Sequence, residues 1–496
     1  LYEGNGTGQR VGNFIPFTDS HTVASSCRLD SADSDYLSKA VSTTQDSFIA
    51  WSLSMWIKPS GDNSQRALFS APTALTMGQL GNSAGGYQDN IRFYADGTLD
   101  IWTLRKITNT SSWTNIVWVW DSANGTQADK ARIYVDGVRQ AVTTVTNSIT
   151  ASQETDWMNT GETSELFKQT GASNYYNGYA SEIVFLDGTA TTDGSQFGET
   201  DTSTNRWIPK DVSGEDFGTN GFYLAFGSTS GSDSDLGDDT SGNDNDFTAS
   251  SGLDTNKANQ MYDTPTRNTA VMSSTWISGS AGTLTQGNLY MTQGTGTKGN
   301  AALFMDSPPI KPLVGSLKLY WEILCVDTTG ANGRIGFQDY SATAFGLANG
   351  YWYKAAGVYD NHNSEITTGL STWTDGDRLN FAVDEATGNF WFGKNGTWEA
   401  SGNPATGANP MGVLTNSVLP CAFNDSGAST LKFTANFGQW RYFDGAATTL
   451  DTDAGGYFSD TVPSDFVALT QDNMAENTAG ITGLSWIKNR DADDNH

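Results

Sequence analysis

The chain has 496 residues, 55 of them acidic against 27 basic, for a formal net charge of −28. Such a surface repels phosphate backbones and anionic lipid, so no nucleic acid and no membrane surface is expected as a ligand. The length exceeds what one core supports and calls for two or more domains, and no apolar run approaches the ~18 residues of a membrane helix, so membrane insertion is not expected.

Residues 1–30 are rich in Gly, Asn and Ser. They read as an N-terminal arm and lack the basic and apolar regions of a signal peptide. Strand periodicity begins at Asp35-Tyr36-Leu37. In Phe48–Lys58, Trp51, Leu53 and Met55 share one face, the alternation of a half-buried strand. Ile91–Tyr94, Leu99–Trp102 and Trp113–Trp120 follow at short intervals. Asp96-Gly97 and Asp136-Gly137 sit between apolar runs and predict tight hairpins, because these residue types tolerate φ > 0. Tyr179–Gly188 reads as a returning strand. Short strands spaced by Gly, Asn and Asp turns predict an antiparallel β-sandwich over 31–255.

Near the end of that span, Gly231–Asp246 carries six Asp and no Lys or Arg. Clustered carboxylates suit a hard cation, so Asp233, Asp235, Asp238 and Asp239 are the candidate calcium ligands. Their spacing matches neither an EF-hand nor a glycine-rich calcium repeat, which favours a solvated acidic loop. No other cofactor is expected. Residues 256–300 read as a linker, and 301–445 as a second module of the same class. Its centre is Gly376–Trp398, where Leu379, Phe381 and Val383 alternate with polar or small residues, Asp384–Asn389 reverses the chain, and Asn395-Gly396 predicts another hairpin. The fold class is therefore all-β, two antiparallel jelly-roll-like sandwiches in tandem joined by loop-rich linkers. Residues 446–496 form a C-terminal segment expected to lead into further chain.

Leu53–Lys58, Ala95–Leu99, Trp113–Trp118 and Ile133–Gly137, in that order, resemble the laminin-G-like, concanavalin-A-like jelly roll over about 31–190. Tyr320-Trp321-Glu322, Gly376-Asp377, Lys394-Asn395-Gly396, Leu419-Pro420 and Asn436-Phe437-Gly438 resemble the SPRY domain over roughly 300–445. That resemblance implies partner binding through loops and no catalysis. Leu236–Phe247, Asp263–Asn268, Val462–Leu469 and Ser485–Asp491 are similar to segments of bacteriophage tail-fibre and related virion proteins. From this follows the expectation of a virion appendage, in a tail or capsid fibre, assembled in the host cytoplasm and acting outside it. Its partners would be other virion proteins, copies of itself in a homo-oligomer such as the trimer usual in fibres, and a host-surface glycan or receptor.

Catalytic signals are weak. The three histidines show no zinc spacing, and no nucleophile elbow is present. Gly294–Gly299 matches a dinucleotide fingerprint as a string, but Pro308-Pro309 leaves no room for the helix that motif needs. No catalytic residue is assigned, and the chain is expected not to be an enzyme. Sugars offer apolar CH faces and hydroxyl rims, so aromatic residues beside Asp, Asn or His are the candidate ligand site. Those expected in loops are Tyr351, Trp352, Tyr353, Tyr359, Asp360, His362 and Trp373. Tyr87 and Tyr175-Tyr176 are the counterparts in the first module. A purely structural virion protein is the alternative reading, and a glycan depolymerase a further one. Cys325 and Cys421 fall in strand-like runs and read as small buried hydrophobes.

Overall fold

A computed structural model describes residues 21–473, except 45, 48, 62–64, 72–74, 83–84, 202–204, 228–235, 251–252, 254–258, 273–276, 279–281, 294–299, 303–309, 314, 329–332, 341–348 and 425–430. Most of the expected arm, the Gly294–Gly299 string, Ser485–Asp491, Asp233 and Asp235 lie outside the described residues.

The protein is all-β, with antiparallel sheets packed as tandem sandwiches. The first is built from β1 (Ser26–Leu29), β2 (Leu37–Ala40), β3 (Ala50–Pro59), β4 (Arg66–Ala71), β5 (Thr76–Asn82), β6 (Tyr87–Ala95), β7 (Leu99–Lys106), β8 (Thr114–Asp121) and β9 (Ala131–Val135). It continues with β10 (Val138–Arg139), β11 (Val142–Asn147), β12 (Thr163–Leu166), β13 (Gly178–Asp187), β14 (Gly198–Thr200), β15 (Trp207–Pro209), β16 (Phe222–Leu224), β17 (Thr248–Ala249) and β18 (Gln260–Met261). One sheet runs β10-β9-β8-β3-β13-β1-β18, with β16 also on β13; the other runs β11-β7-β6-β5-β4-β12-β2-β17. The hairpins appear where expected. Asp96-Gly97 and Asp136-Gly137 both sit at positive φ, at 40° and 65° and at 49° and 72°.

The two sheets differ in what they hide. In β8, Ile116, Trp118 and Trp120 face the core between the sheets, while Val117 and Val119 face outward and are covered by Phe197, Val212 and Phe217. That sheet is buried on both sides, which is why β8 reads as an unbroken apolar run. In β6 and β7, Ile91, Phe93, Leu99 and Ile101 face the core, and Arg92, Tyr94, Asp100 and Trp102 face away from it. This second sheet is open only at its β6–β7 end, where Arg92, Tyr94 and Asp100 are part-exposed; Ser70, Met77, Gln79 and Trp102 on the same face are buried.

In the second sandwich, one sheet orders Ile277–Ser278, Asn300–Ala302, Val418–Asn424, Gly333–Asp339, Gly350–Lys354, Val358–Asn361 and Ser364–Thr368. Its partner orders Gly282–Thr285, Tyr290–Gln293, Leu431–Asn436, Lys318–Asp327, Arg378–Asp384, Asn389–Lys394 and Thr397–Trp398. Trp321, Phe337, Phe381, Phe390 and Phe392 form an aromatic core between them. Cys27, Cys325 and Cys421 are all buried thiols.

Several segments differ from the expected boundaries. β1 lies inside the span expected as an arm. The span expected as a linker supplies β18 to the first sandwich and Gly282–Thr285 and Tyr290–Gln293 to the second. The C-terminal segment returns to the second sandwich, where Phe458, Val462 and Phe466 cover Tyr320, Ala382 and Trp391. Glu322 fastens it: one carboxylate oxygen accepts from Asp460 N, the other from Ser459 N and Asn436 Nδ2. Between the sandwiches, Lys58 Nζ donates to Asp263 Oδ2 (2.7 Å), Asn268 Oδ1 (2.8 Å) and Thr269 O (2.8 Å), and Trp113 Nε1 donates to Asp263 Oδ1. Both charges are wholly buried, which such complete hydrogen bonding makes tolerable. Asp263–Asn268 is thus a structural joint.

Candidate functional site

Tyr351, Trp352 and Tyr353 were expected in a loop; they lie in the Gly350–Lys354 strand and are 2%, 0% and 0% exposed. Tyr359 and Asp360 lie in the adjacent strand, also buried, and Trp373 is buried as well. The loop placement is therefore corrected. Alternation turns Tyr351 and Tyr353 inward, where Tyr353 stacks on Phe392 at 5.5 Å and Tyr351 and Tyr359 meet Phe390. The Tyr353 hydroxyl bonds Ser371 O and Glu399 Oε1. Asp360 is paired with Arg334 and Lys354. His362 alone of the group is part-exposed, and its Nε2 lies 2.9 Å from Asp339 Oδ2. These side chains share a neighbourhood, but they build a core and offer no aromatic platform.

The acidic loop is also a structural device where it is described. Asp239 accepts from Tyr223 N, Ser241 N, Ser241 Oγ and Asn245 N, while Asn243 and Asn245 donate to Gly218 O, Thr219 O and Gly221 O. Its carboxylate is occupied by donors, and Asp238 is exposed. Among the described residues, no group of three or more His, Cys, Asp or Glu is arranged to hold a metal. The resemblance of Leu236–Phe247 to virion proteins therefore falls on a stretch whose polar residues fasten a loop.

The open sheet carries the strongest candidate. Asp100, Tyr94, Met77, Ser70 and Glu165 are successive cross-strand partners on β7, β6, β5, β4 and β12, so they stand in one row on one face. Four strand spacings make that row about 19 Å wide. Beside it, Trp102 is paired with Arg92, and Arg92 with Gln79. Tyr87 stacks on Trp102 with centroids 4.4 Å apart and rings 6° from parallel. The Arg92 guanidinium lies 4.6 Å from the Tyr94 ring centroid and 5.1 Å from that of Trp102. Asp100 clamps it with two hydrogen bonds of 2.8 Å each. Such a bidentate clamp fixes the plane of the guanidinium and, through it, both rings.

A second cluster occupies the other end of the same face. Lys168 Nζ lies 4.1 Å from the Tyr36 ring centroid and 2.7 Å from Glu165 Oε1, and Tyr36 packs against Tyr175 at 6.3 Å. Burial pulls the Lys168 ammonium down, but the Glu165 carboxylate outweighs it and holds the pKa above the ordinary lysine value. Tyr87 and Tyr175, singled out in the sequence, belong to these clusters; Tyr176 is wholly buried against Phe167. Sequence reasoning missed Arg92, Tyr94, Asp100 and Trp102. The signal was available, since alternation in Ile91–Tyr94 and Leu99–Trp102 puts aromatic rings on the polar face of a half-buried strand.

Residues 30–194 match the family model of the concanavalin A-like lectin/glucanases superfamily. The open face and both its clusters belong to this lectin-like sandwich. No curated protein matches the chain. Similar solved structures include the SPRY domain of human HERC1, at 22% identity and a TM-score of 0.27, covering 33% of this chain and 96% of that one. A putative carbohydrate binding protein from Bacteroides ovatus is 12% identical with a TM-score of 0.33, covering 46% of this chain and 58% of that one. Domains LG4-5 of the mouse laminin alpha1 chain are 11% identical with a TM-score of 0.29, covering 92% of this chain and 100% of that one.

Proposed function

We propose that this protein is a non-catalytic attachment component of a bacteriophage appendage that binds host-surface glycan through the open face of its lectin-like sandwich. The observation that carries the reading is the pre-set group of Tyr87, Arg92, Tyr94 and Asp100, all part-exposed at one end of the sheet face and braced on the buried Trp102 ring. The ordered, part-exposed Tyr87 and Tyr94 rings give a sugar's apolar side a surface to stack on at little entropic cost, and the neighbouring Asp100 carboxylate and Arg92 guanidinium provide polar partners for its hydroxyls. The phage setting is supported by the resemblance of Leu236–Phe247, Asp263–Asn268 and Val462–Leu469 to virion proteins. On this reading the chain acts at the virion surface, beside other virion proteins.

The family description names glucanases as well as lectins, and geometry favours the lectin side. A glycosidase needs two carboxyl groups about 5–9.5 Å apart. The acids on the open-face row, Asp100 and Glu165, are separated by four strand spacings, about 19 Å. Each is also engaged by a cation.

Binding of the full chain to a glycan array and to host envelope polysaccharide tests the proposal, with wild type compared to Tyr87→Ala and Tyr94→Ala. The expected result is a loss of at least about tenfold for each variant, the scale of an aromatic anchor. Unchanged binding, or no glycan bound by wild type, overturns the reading in favour of a purely structural virion protein. Release of reducing ends from the polysaccharide overturns it in favour of a depolymerase.

A further inference from the structure

β11 ends the open sheet, and its outer side pairs with no described strand. Natural sheets guard such edges by keeping them short, charged, proline-bearing or covered. Other edges here follow that rule. β10 has two residues and carries Arg139, the Ser364–Thr368 edge carries Glu365, and the Thr397–Trp398 edge has two residues and is followed by Glu399. β11 breaks it. With six residues it is the longest edge strand among those described. It lies in Gln140–Gln153, a stretch without one charged residue in a chain of net charge −28. Its residues Val142–Thr146 are all β-branched, the side chains best suited to a pleated ladder. Val145 within it is 56% exposed, and the aliphatic residues Leu104 and Val138 nearby are 63% and 48% exposed.

We infer that the β11 edge is a self-association surface whose partner is β11 of a second copy of this chain, paired antiparallel about a two-fold axis. Charge selects that occupant. Two molecules of net charge −28 repel one another over most of their surfaces, so they approach at lowest cost where charge is missing. A cationic partner would be drawn to the acidic surface instead. A two-fold also matches the edge with itself, since each copy presents alternating N–H and C=O groups in opposite chain directions. The register irregularity between Thr144 and Thr146 limits the regular ladder to part of the strand. The contact is therefore small and the dimer reversible and concentration-dependent.

The pairing has a consequence that rests on the proposed glycan reading, although the pairing itself does not. A two-fold perpendicular to the sheet keeps both outward faces on the same side. The order β7-β11-β11-β7 across the junction puts the two Trp102-bearing strands about 14 Å apart, three strand spacings. Two aromatic platforms then face one glycan surface, and weak single-site affinity is raised by bivalency.

Sedimentation velocity of the full chain over a wide concentration range is the test, with Thr143→Lys/Val145→Lys as the edge variant and Ile366→Lys, on the other sandwich, as control. The wild type and control are expected to reach a dimer at high micromolar concentration. The edge variant should show native circular dichroism and at least about tenfold weaker association, from like charges facing each other across the ladder. Slower amide exchange at Val142–Thr146 on raising wild-type concentration is the second expected result, and it needs no variant. A wild type that stays monomeric, an edge variant that associates as tightly as wild type, or exchange at Val142–Thr146 independent of concentration each overturns the inference. Glycan binding by a monomeric edge variant at reduced avidity would leave the glycan reading standing, so the two proposals fail separately.

Discussion

In the first sandwich Tyr87, Tyr94 and Trp102 stand on the outer face of a sheet, whereas in the second Tyr351, Tyr353 and Tyr359 point inward against Phe390 and Phe392. Residue type is the same in both; position along the alternation is not. Ile91 and Phe93 take the core side of β6, which leaves Arg92 and Tyr94 outside, while Ile335 and Phe337 share the core side of their sheet with Tyr351 and Tyr353. An aromatic residue is therefore informative about binding only once its face is known. The second sandwich uses its tyrosines to fill volume, with hydroxyls tied to groups such as Ser371 O and Glu399.

The contrast can be broken first in the second core. Phe392→Ala removes a ring packed against Tyr353, Tyr359, Phe381 and Phe390. It should destabilise by about 3–5 kcal/mol in chemical denaturation. Glycan affinity of the remaining folded protein should not change, because nothing on the open face touches that ring.

A smaller effect is expected at Asp35, a carboxylic acid the first sandwich buries. Its Oδ2 accepts from Asp30 N, its Oδ1 has no hydrogen-bond partner among the described residues, and burial pushes its pKa from 3.8 to about 7. A carboxyl whose folded pKa lies above its unfolded value stabilises the fold when protonated. That contribution is fully present below about pH 4 and is lost as pH rises through about 7. Asp35→Asn keeps the shape and removes the titration. It should match wild type at pH 4 and exceed it in stability at pH 8, as read from thermal melts. Equal melting shifts at both pH values would show that Asp35 is solvated.

Smallest in stability and largest in meaning is Tyr94→Ala. A half-exposed ring on an outer face should change unfolding free energy by no more than about 0.5 kcal/mol, while glycan binding falls as proposed above. A loss of several kcal/mol would instead make Tyr94 a core residue, and the distinction between the two sandwiches would disappear.

Much of the architecture was legible because period-2 alternation and Asp-Gly or Asn-Gly turns are local signals. Trp51, Leu53 and Met55 share the core face, and Asn395-Gly396 turns at φ of 49° and 76°, as read from the chain. The candidate site was mostly not legible. Tyr351-Trp352-Tyr353 beside Gly350 reads as a loop cluster, yet pairing with Gly333–Asp339 and Val358–Asn361 on either side makes it a central strand. The acidic loop reads from the sequence as a solvated loop with calcium as the lesser possibility, because composition counts carboxylates without their donors; in the structure Asp239 is surrounded by backbone and side-chain N–H and O–H groups.

By itself the chain determined that it would form antiparallel sandwiches, where its hairpins turn, and that its acidic surface disfavours phosphate and lipid. Only the tertiary structure decided which sheet keeps part-exposed side chains on its outer face, since Phe197, Val212 and Phe217 fold back over the strands of β8 and β13, whereas among the described residues no comparable apolar cluster covers Arg92, Tyr94 and Asp100. It also decided that Lys58, far upstream, meets Asp263 in the joint between the sandwiches. The physical reason is the same in both cases. Alternation and turn chemistry act between neighbours along the chain, whereas cover, burial and charge pairing are settled by segments a hundred or more residues apart.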